Sequence, residues 1–402
     1  MSHEYIKNQI KEITKSIFKD VINMRRHIHQ NPELSFQEKE TSKYICSILD
    51  KHDISYERDI AGFGVVGLIK SNTPDSQVIA IRADMDALPI KEQNEVDYKS
   101  IKDGVMHACG HDVHSAILLG VAIVLNQLKD QLSGTIKLIF QPAEEMLPGG
   151  ASLMIKEGVL KNPNVDKIFA LHVFPEFQVG NVGFRSGKYM AACDELHITI
   201  NGKGGHAALP KSVINPITIA SELLLKLKSE VSILASDQKY ILEFGDFHAY
   251  GASNVIPDKA HFKGTLRTLD EEFRLDTHKL LLRLVNDIEV KYLCACDFEL
   301  KKGYPVLYND PSLTSQSKEL AQEFLGHSYV KDLDLRMSSE DFSYFSQNCP
   351  SCFFRIGVGN DKKKINHLVH HPNFNIDEKS LEIGVGLMSF LVSSNLLSLK
   401  KS

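Results

Sequence analysis

Between His107 and His114 the chain reads HACGHDVH, which places three imidazoles, one thiol and one carboxylate within eight residues. All are ligand types for a divalent transition metal. A thiol among imidazoles and carboxylates suits zinc, manganese, cobalt or nickel rather than calcium or magnesium. Four further stretches carry the same chemistry: RADMDALP from Arg82, QPAEE from Gln141, ALHV from Ala170 and VHHP from Val369. We read them as parts of one binuclear metal centre.

The spacing constrains how such a centre is built. Cys109 and His111 are two residues apart, so on one helix they would point about 200° from each other. Both reach one metal cluster only from a loop or a helix N-terminus, and Gly110 between them gives the backbone that freedom. Glu144 and Glu145 are adjacent and cannot face the same way, which argues that one binds metal while its neighbour moves a proton. Any one of these residues taken alone has an ordinary explanation, such as a histidine in a turn or an acid capping a strand. Their joint placement is the signal. Asp84, Asp86, Glu144, Glu145 and His172 fall at or just past the ends of apolar stretches, and open α/β sheets bind ligands beyond the C-terminal ends of their strands.

The elements that must position these groups follow from periodicity. Ile6, Ile10, Ile13, Ile17, Val21, Met24 and Ile28 predict an amphipathic helix over 4–30, and a second is expected over 33–50 after Asn31-Pro32. Residues 64–70, 77–84, 134–142, 166–173 and 352–359 read as apolar strands, with helices over 118–128, 151–157, 312–325 and 377–396 between and after them. Apolar strands alternating with helices predict an α/β domain, a mixed sheet covered by helices on both faces. From about residue 189 the strands alternate with period two (195–205, 240–248, 261–270, 297–302), around helices at 214–227 and 271–292. That predicts an α+β satellite domain over 189–300, inserted into a catalytic domain formed by 1–188 and 301–402.

Composition sets outer limits. The 402 residues carry a net charge of −5 with both signs mixed, which leaves no footprint for nucleic acid. The N-terminus lacks a secretory pattern, and no apolar run was expected to reach the ~18 residues of a membrane span, so a cytoplasmic protein without membrane contact is expected. Seven cysteines without a regular framework suggest free thiols. Cys349 and Cys352 lack the context of a redox or zinc motif, and Gly202-Lys203-Gly204-Gly205 lacks that of a phosphate loop.

The order RADMDALP, HACGHDVH, FQPAEE, LHV, GKGGHAALP, SNVIPD, GTLRT, SSEDFSYF and VHHPNFNIDE resembles the amidohydrolase branch of the aminoacylase/carboxypeptidase-type metallopeptidases. That branch includes indole-acetyl-amino-acid hydrolases, hippurate hydrolases and N-acetyl-diaminopimelate deacetylases. The resemblance spans Arg25 to Glu378. It implies cleavage of N-acyl amino acids by two divalent ions, manganese or zinc with cobalt or nickel as alternatives. It further implies Cys109, His111, Glu145, His172 and His370 as their ligands, with Cys109 bridging, and Glu144 as general base. Related branches have a histidine ligand where this chain has Asp84, whereas Asp86 is expected to orient a neighbouring ligand. His371 departs from the usual Asn or Ser and leaves two candidates, of which His370 is preferred. His206, Asn254 and Arg267 are implied substrate-binding residues, and a homodimer through the satellite domain is implied. A metallo-exopeptidase acting on small peptides is the alternative enzyme. A binding module that has lost catalysis is the non-enzymatic one, against which the Glu144–Glu145 pair speaks.

Overall fold

In the computed structural model, which describes residues 3–74 and 76–397, the chain divides into two compact units. Met1–Gly187, Tyr308–Asp334 and Asp341–Ser402 form the first, and Lys188–Leu307 with Leu335–Glu340 the second.

The first unit is built on an eight-stranded mixed sheet. Its strands are β1 (Ser55–Ile60), β2 (Gly64–Lys70), β3 (Val78–Asp84), β4 (Thr135–Gln141), β5 (Lys167–Gln178), β6 (Val182–Phe184), Val330–Asp332 and Ser351–Gly359. Across the sheet they run β1–β2–β4–β3–β5, then Ser351–Gly359, β6 and Val330–Asp332. Every residue of β3 and β4 is buried, as strands covered on both faces must be. Lys137 in β4 meets that condition by donating from Nζ to the carbonyls of Val159, Lys161 and Pro163 at 2.8–2.9 Å.

Register brings the site residues to one edge. β3 lies parallel to both β4 and β5, with Asp84 opposite Gln141 and Arg82 opposite Ala170. The residues that follow β3 and β4 therefore emerge together, and His172 lies two residues past the last β3–β5 pair. β5 continues to Gln178, so His172 is inside a strand rather than at its end. The extension is held by Ser351–Gly359, which pairs with β5 from Ile168 onward and sets Arg355 opposite His172.

Helices α1 (His3–Gln30), α2 (Lys39–Lys51), α3 (His111–Leu128) and α4 (Gly150–Lys156), with Pro311–Leu325 and Lys379–Leu396, complete this unit. α3 begins seven residues before the expected Leu118, directly after Gly110 in a left-handed conformation (φ 85°). It is apolar all round because it is buried all round. A Cβ at Gly120 would lie 2.6 Å from Val385 Cγ2 and 3.0 Å from Val21 Cγ2, so only glycine lets α1 and Lys379–Leu396 approach this closely. His111–Gln131 is long and apolar enough to cross a membrane by length and composition, contrary to the sequence expectation, but 89% of that window is buried inside the protein. Buried core helices have this composition. α2 starts at Lys39 rather than Glu33, and 33–38 form a loop whose side chains are used at the site.

The second unit has a four-stranded antiparallel sheet ordered Tyr240–His248, Lys259–Thr268, Ala192–Asn201 and Ala295–Lys302. Leu196, Ile198 and Ile200 alternate inward and pack with Phe262, Leu266 and residues of both helices, Pro216–Ala235 and Glu271–Tyr292. This is the α+β pattern of one apolar and one polar sheet face. Arg274 binds Asp194 through Nε at 2.9 Å and Nη2 at 2.5 Å and donates to the Gly303 carbonyl. Val306 N donates to Glu271, and Ala191 N to the carbonyls of Arg336 and Ser338. These bonds hold 301–307 and 335–340 to this unit.

Candidate metal centre

Gly110 decides the local geometry. Its left-handed backbone ends the loop and opens α3, so Cys109 stands just outside the helix and His111 in its first turn. The two side chains then reach a common space, as their spacing requires. Cys109 Sγ lies 3.5 Å from His172 Nε2, and His370 N donates to the Ala108 carbonyl at 2.7 Å. That bond draws the last histidine loop onto the same corner.

His111 and His172 each have one nitrogen committed and the other directed inward. His111 Nδ1 lies 3.1 Å from Asp86 Oδ1. A carboxylate only accepts, so Nδ1 donates to Asp86 and Nε2 is the nitrogen that faces inward, free to bind a cation once its own proton is displaced. That Nε2 is buried without a hydrogen-bond partner, 4.0 Å from Glu144 Oε2 and 3.9 Å from Glu145 Oε1. His172 Nδ1 donates to the Val173 carbonyl at 2.8 Å, leaving Nε2 toward Cys109. Glu145 Oε1 also makes no hydrogen bond, although His370 Nε2 is 3.2 Å away. Buried polar atoms are seldom left unpaired. Here two of them face a shared space together with a thiol and two more imidazoles, the arrangement expected where a cation sits.

Two donor groups emerge, Cys109–His111–His172 and Cys109–Glu145–His370, each with ligand atoms within 4.8 Å of one another. They share Cys109. A third group, His111–Glu144–Glu145, joins them. Cysteine, histidine and glutamate donors of this kind fit divalent transition-metal ions.

Asp84 is placed otherwise. Its Oδ2 takes Arg82 Nη1 and its Oδ1 takes His114 Nδ1, both at 2.5 Å. His114 Nε2 in turn accepts the Val173 amide at 2.9 Å, so this carboxylate and imidazole are fully used in holding the strand ends. Asp86 does double duty: Oδ1 fixes His111, while Oδ2 accepts Ser35 Oγ at 2.6 Å and the Glu145 amide at 3.0 Å. Of the adjacent histidines, His371 is stacked on His367 with centroids 4.2 Å apart and accepts the Asn373 amide through Nδ1.

Electrostatics follow from burial and the crowd of carboxylates. Burial, reinforced by Glu145 and Glu144, pushes the Cys109 thiol well above its usual range. Burial opposes a charge on His111, but Asp84, Asp86 and Glu145 override it and push the imidazole up to about 10. Burial and then Arg355 hold His172 well below its usual range, so it is neutral. Burial and the neighbouring Asp86 push the Glu38 carboxyl up to about 7.

Several contributing residues carried no signal that the sequence reading used. Arg25 Nε binds Asp112 Oδ2 at 2.7 Å, His29 Nδ1 shares that oxygen at 2.8 Å, and His29 Nε2 lies 3.1 Å from Glu92. This buried network ties α1 to the first turn of α3. A signal was present, since Arg25 and His29 interrupt the apolar stripe of α1 one turn apart. The expected substrate residues lie in the second unit. His206 pairs with Val255 in a short ribbon, and Asn254 O accepts the Ala207 amide beside it. Arg267 Nη1 donates to Ser339 Oγ at 2.9 Å.

A mixed sheet flanked by helices, with cysteine, histidine and glutamate donors gathered at one edge, is the architecture of an α/β metalloprotein. The sequence signature of peptidase family M20/M25/M40 matches residues 80–394, and the chain belongs to that family. It is 38% identical over 385 residues to thermostable carboxypeptidase 2 of Saccharolobus solfataricus, covering 95% of each chain. It is 38% identical over 372 residues to N-acetylcysteine deacetylase of Bacillus subtilis, covering 92% of this chain and 95% of the other. Among solved structures, a Bacillus subtilis protein described as a dinuclear metal-binding peptidase of the M20 family superposes with a TM-score of 0.80 at 34% identity, over 95% of this chain and 99% of that one. The protein is a hydrolase of a metal-dependent family.

Proposed function

We propose that this chain is an amidohydrolase that cleaves N-acyl amino acids into a carboxylic acid and a free amino acid, using two divalent ions held by Cys109, His111, Glu145, His172 and His370. The observation that carries this reading is the pair of donor groups sharing Cys109. A pair of such ions acidifies a water molecule and polarises the scissile carbonyl. Glu144, buried beside the ligand Glu145, takes the proton of the attacking water and later delivers it to the leaving amine nitrogen. The Asp86 carboxylate keeps His111 and the Glu145 backbone in place throughout, and no covalent acyl-enzyme is required. Arg267 presents a planar fork suited to the free carboxylate of the amino acid product, with His206 and Asn254 as further substrate contacts. Manganese or zinc is the proposed metal, with cobalt or nickel as substitutes, and the proposed assembly is a homodimer through the second unit.

The likeness to N-acetylcysteine deacetylase supports an acyl amino acid as substrate. The equal likeness to a carboxypeptidase favours a second reading, an exopeptidase for small peptides. Metal-stripped protein reloaded with manganese, zinc, cobalt or nickel separates the two. Turnover of N-acetyl and benzoyl amino acids in preference to unblocked dipeptides supports the first reading. The reverse preference supports the second, and inertness toward both series contradicts both.

A further inference from the structure

Glu38 is fully buried at the head of α2, yet its side chain does not cap that helix. It turns inward, and Oε1 accepts the backbone amide of Ala143 at 2.7 Å. The position of that amide gives the contact its meaning. β4 ends at Gln141 and Pro142 has no N–H, so the Ala143 amide is the first donor after the strand. Ala143 stands in a left-handed conformation (φ 51°), rare for a residue with a Cβ. Its carbonyl is also held, accepting the Gly150 amide at 2.9 Å. Glu144 is the next residue, so the direction in which its side chain leaves the backbone depends on this turn.

We propose that Glu38 is a positioning residue for Glu144, its carboxyl gripping the Ala143 amide so that the left-handed turn presents Glu144 to the reaction. The proposal rests on the reading of Glu144 as general base. The 33–38 loop works as one brace: Ser35 holds Asp86 at 2.6 Å, and Glu33 O accepts the Ala87 amide at 2.8 Å. One segment thus fixes both carboxylate-bearing loops, 84–87 and 142–145. Only the acceptor oxygen of Glu38 makes a hydrogen bond; Oε2 makes none. A glutamine can therefore replace it without loss of the contact, whereas alanine or the shorter aspartate cannot.

The test compares Glu38→Ala, Glu38→Asp and Glu38→Gln with wild type, all manganese-loaded, on N-acetyl-L-methionine or the fastest substrate of the screen. Hydrogen–deuterium exchange of the peptide containing Ala143 is followed in parallel. Misplacing a catalytic group by about 1 Å costs about 100-fold. Glu38→Ala and Glu38→Asp are accordingly expected to lose about 10–100-fold in kcat, with KM and metal content near wild type and faster exchange at Ala143. Glu38→Gln is expected to restore both kcat and protection. If Glu38→Ala does not fold, the aspartate and glutamine variants decide. Unchanged kcat and exchange in Glu38→Asp, or a Glu38→Gln as impaired as Glu38→Asp, overturns the proposal. A fully active Glu144→Gln would sink the general-base reading instead, and the exchange comparison would still report whether Glu38 holds the turn.

Discussion

Asp86 Oδ1 lies 3.1 Å from His111 Nδ1, and that contact decides which ring nitrogen faces the cluster. The same carboxylate grips the Glu145 amide through its other oxygen, so one buried side chain orients two proposed ligands. Removing such an orienting partner typically costs 10–100-fold in metal affinity. Asp86→Ala is therefore expected to weaken metal binding by about 10–100-fold, measured by chelator competition. Wild-type affinity in that variant would show that the contact is incidental.

Glu144→Gln keeps the size of the side chain and removes its basicity. Turnover is expected to fall by at least about 100-fold, the lower end of what a general base contributes. Metal content by elemental analysis is expected to match wild type. Loss of both would instead make Glu144 a ligand.

Metal loading should expel protons. Without metal, His111 is held at about 10 and the Cys109 thiol well above its usual range. At any pH below about 10 both therefore carry a proton that a cation must displace. Apparent metal affinity should fall as pH drops from 9 to 6, with release of close to two protons per loaded chain. Calorimetry in buffers of different ionisation enthalpy measures that number, and a value near zero contradicts the ligand assignment.

Gly110→Ala tests the turn that separates Cys109 from His111. The new Cβ would stand 2.6 Å from Val173 Cγ2 on a backbone with φ 85°. A loss of roughly 1–3 kcal/mol in stability is expected, together with lower metal content, read by denaturant titration and elemental analysis.

The second unit has its own pH signature. Burial opposes ionisation of Asp194, but Arg274 and His278 outweigh it and hold the carboxyl at about 2. A folded-state pKa below the unfolded one stabilises only while the group is ionised. The contribution of roughly 2 kcal/mol is thus complete above about pH 4 and lost as pH falls through about 2. Asp194→Ala should cost roughly 3 kcal/mol at neutral pH, the low end for breaking a buried pair, because Arg274 loses its closest carboxylate and keeps only Glu271. Denaturant unfolding of both proteins at pH 7 and pH 3 measures this.

The α/β class was legible because β3, β4 and β5 are apolar enough to require cover on both faces, and the satellite strands because they alternate. The turn at Gly110 could be deduced from the spacing of Cys109 and His111 alone. What escaped the sequence depends on partners far apart in the chain. Glu38 meets Ala143 across 105 residues, Arg25 meets Asp112 across 87 and Ser35 meets Asp86 across 51. Only Arg25 leaves a local trace, as a charge on the apolar stripe of α1, and even that does not name its partner. His172 was expected at a strand end because the apolar run closes at Val173, whereas pairing with Ser351–Gly359 carries β5 through it to Gln178.

The central claim is that one sulfur serves two cations. Anomalous diffraction from crystals loaded with zinc or manganese tests it most directly. Two peaks within about 4 Å of each other, both bonded to Cys109 Sγ, are predicted. A single peak, or a pair that leaves Cys109 uncoordinated, would contradict it.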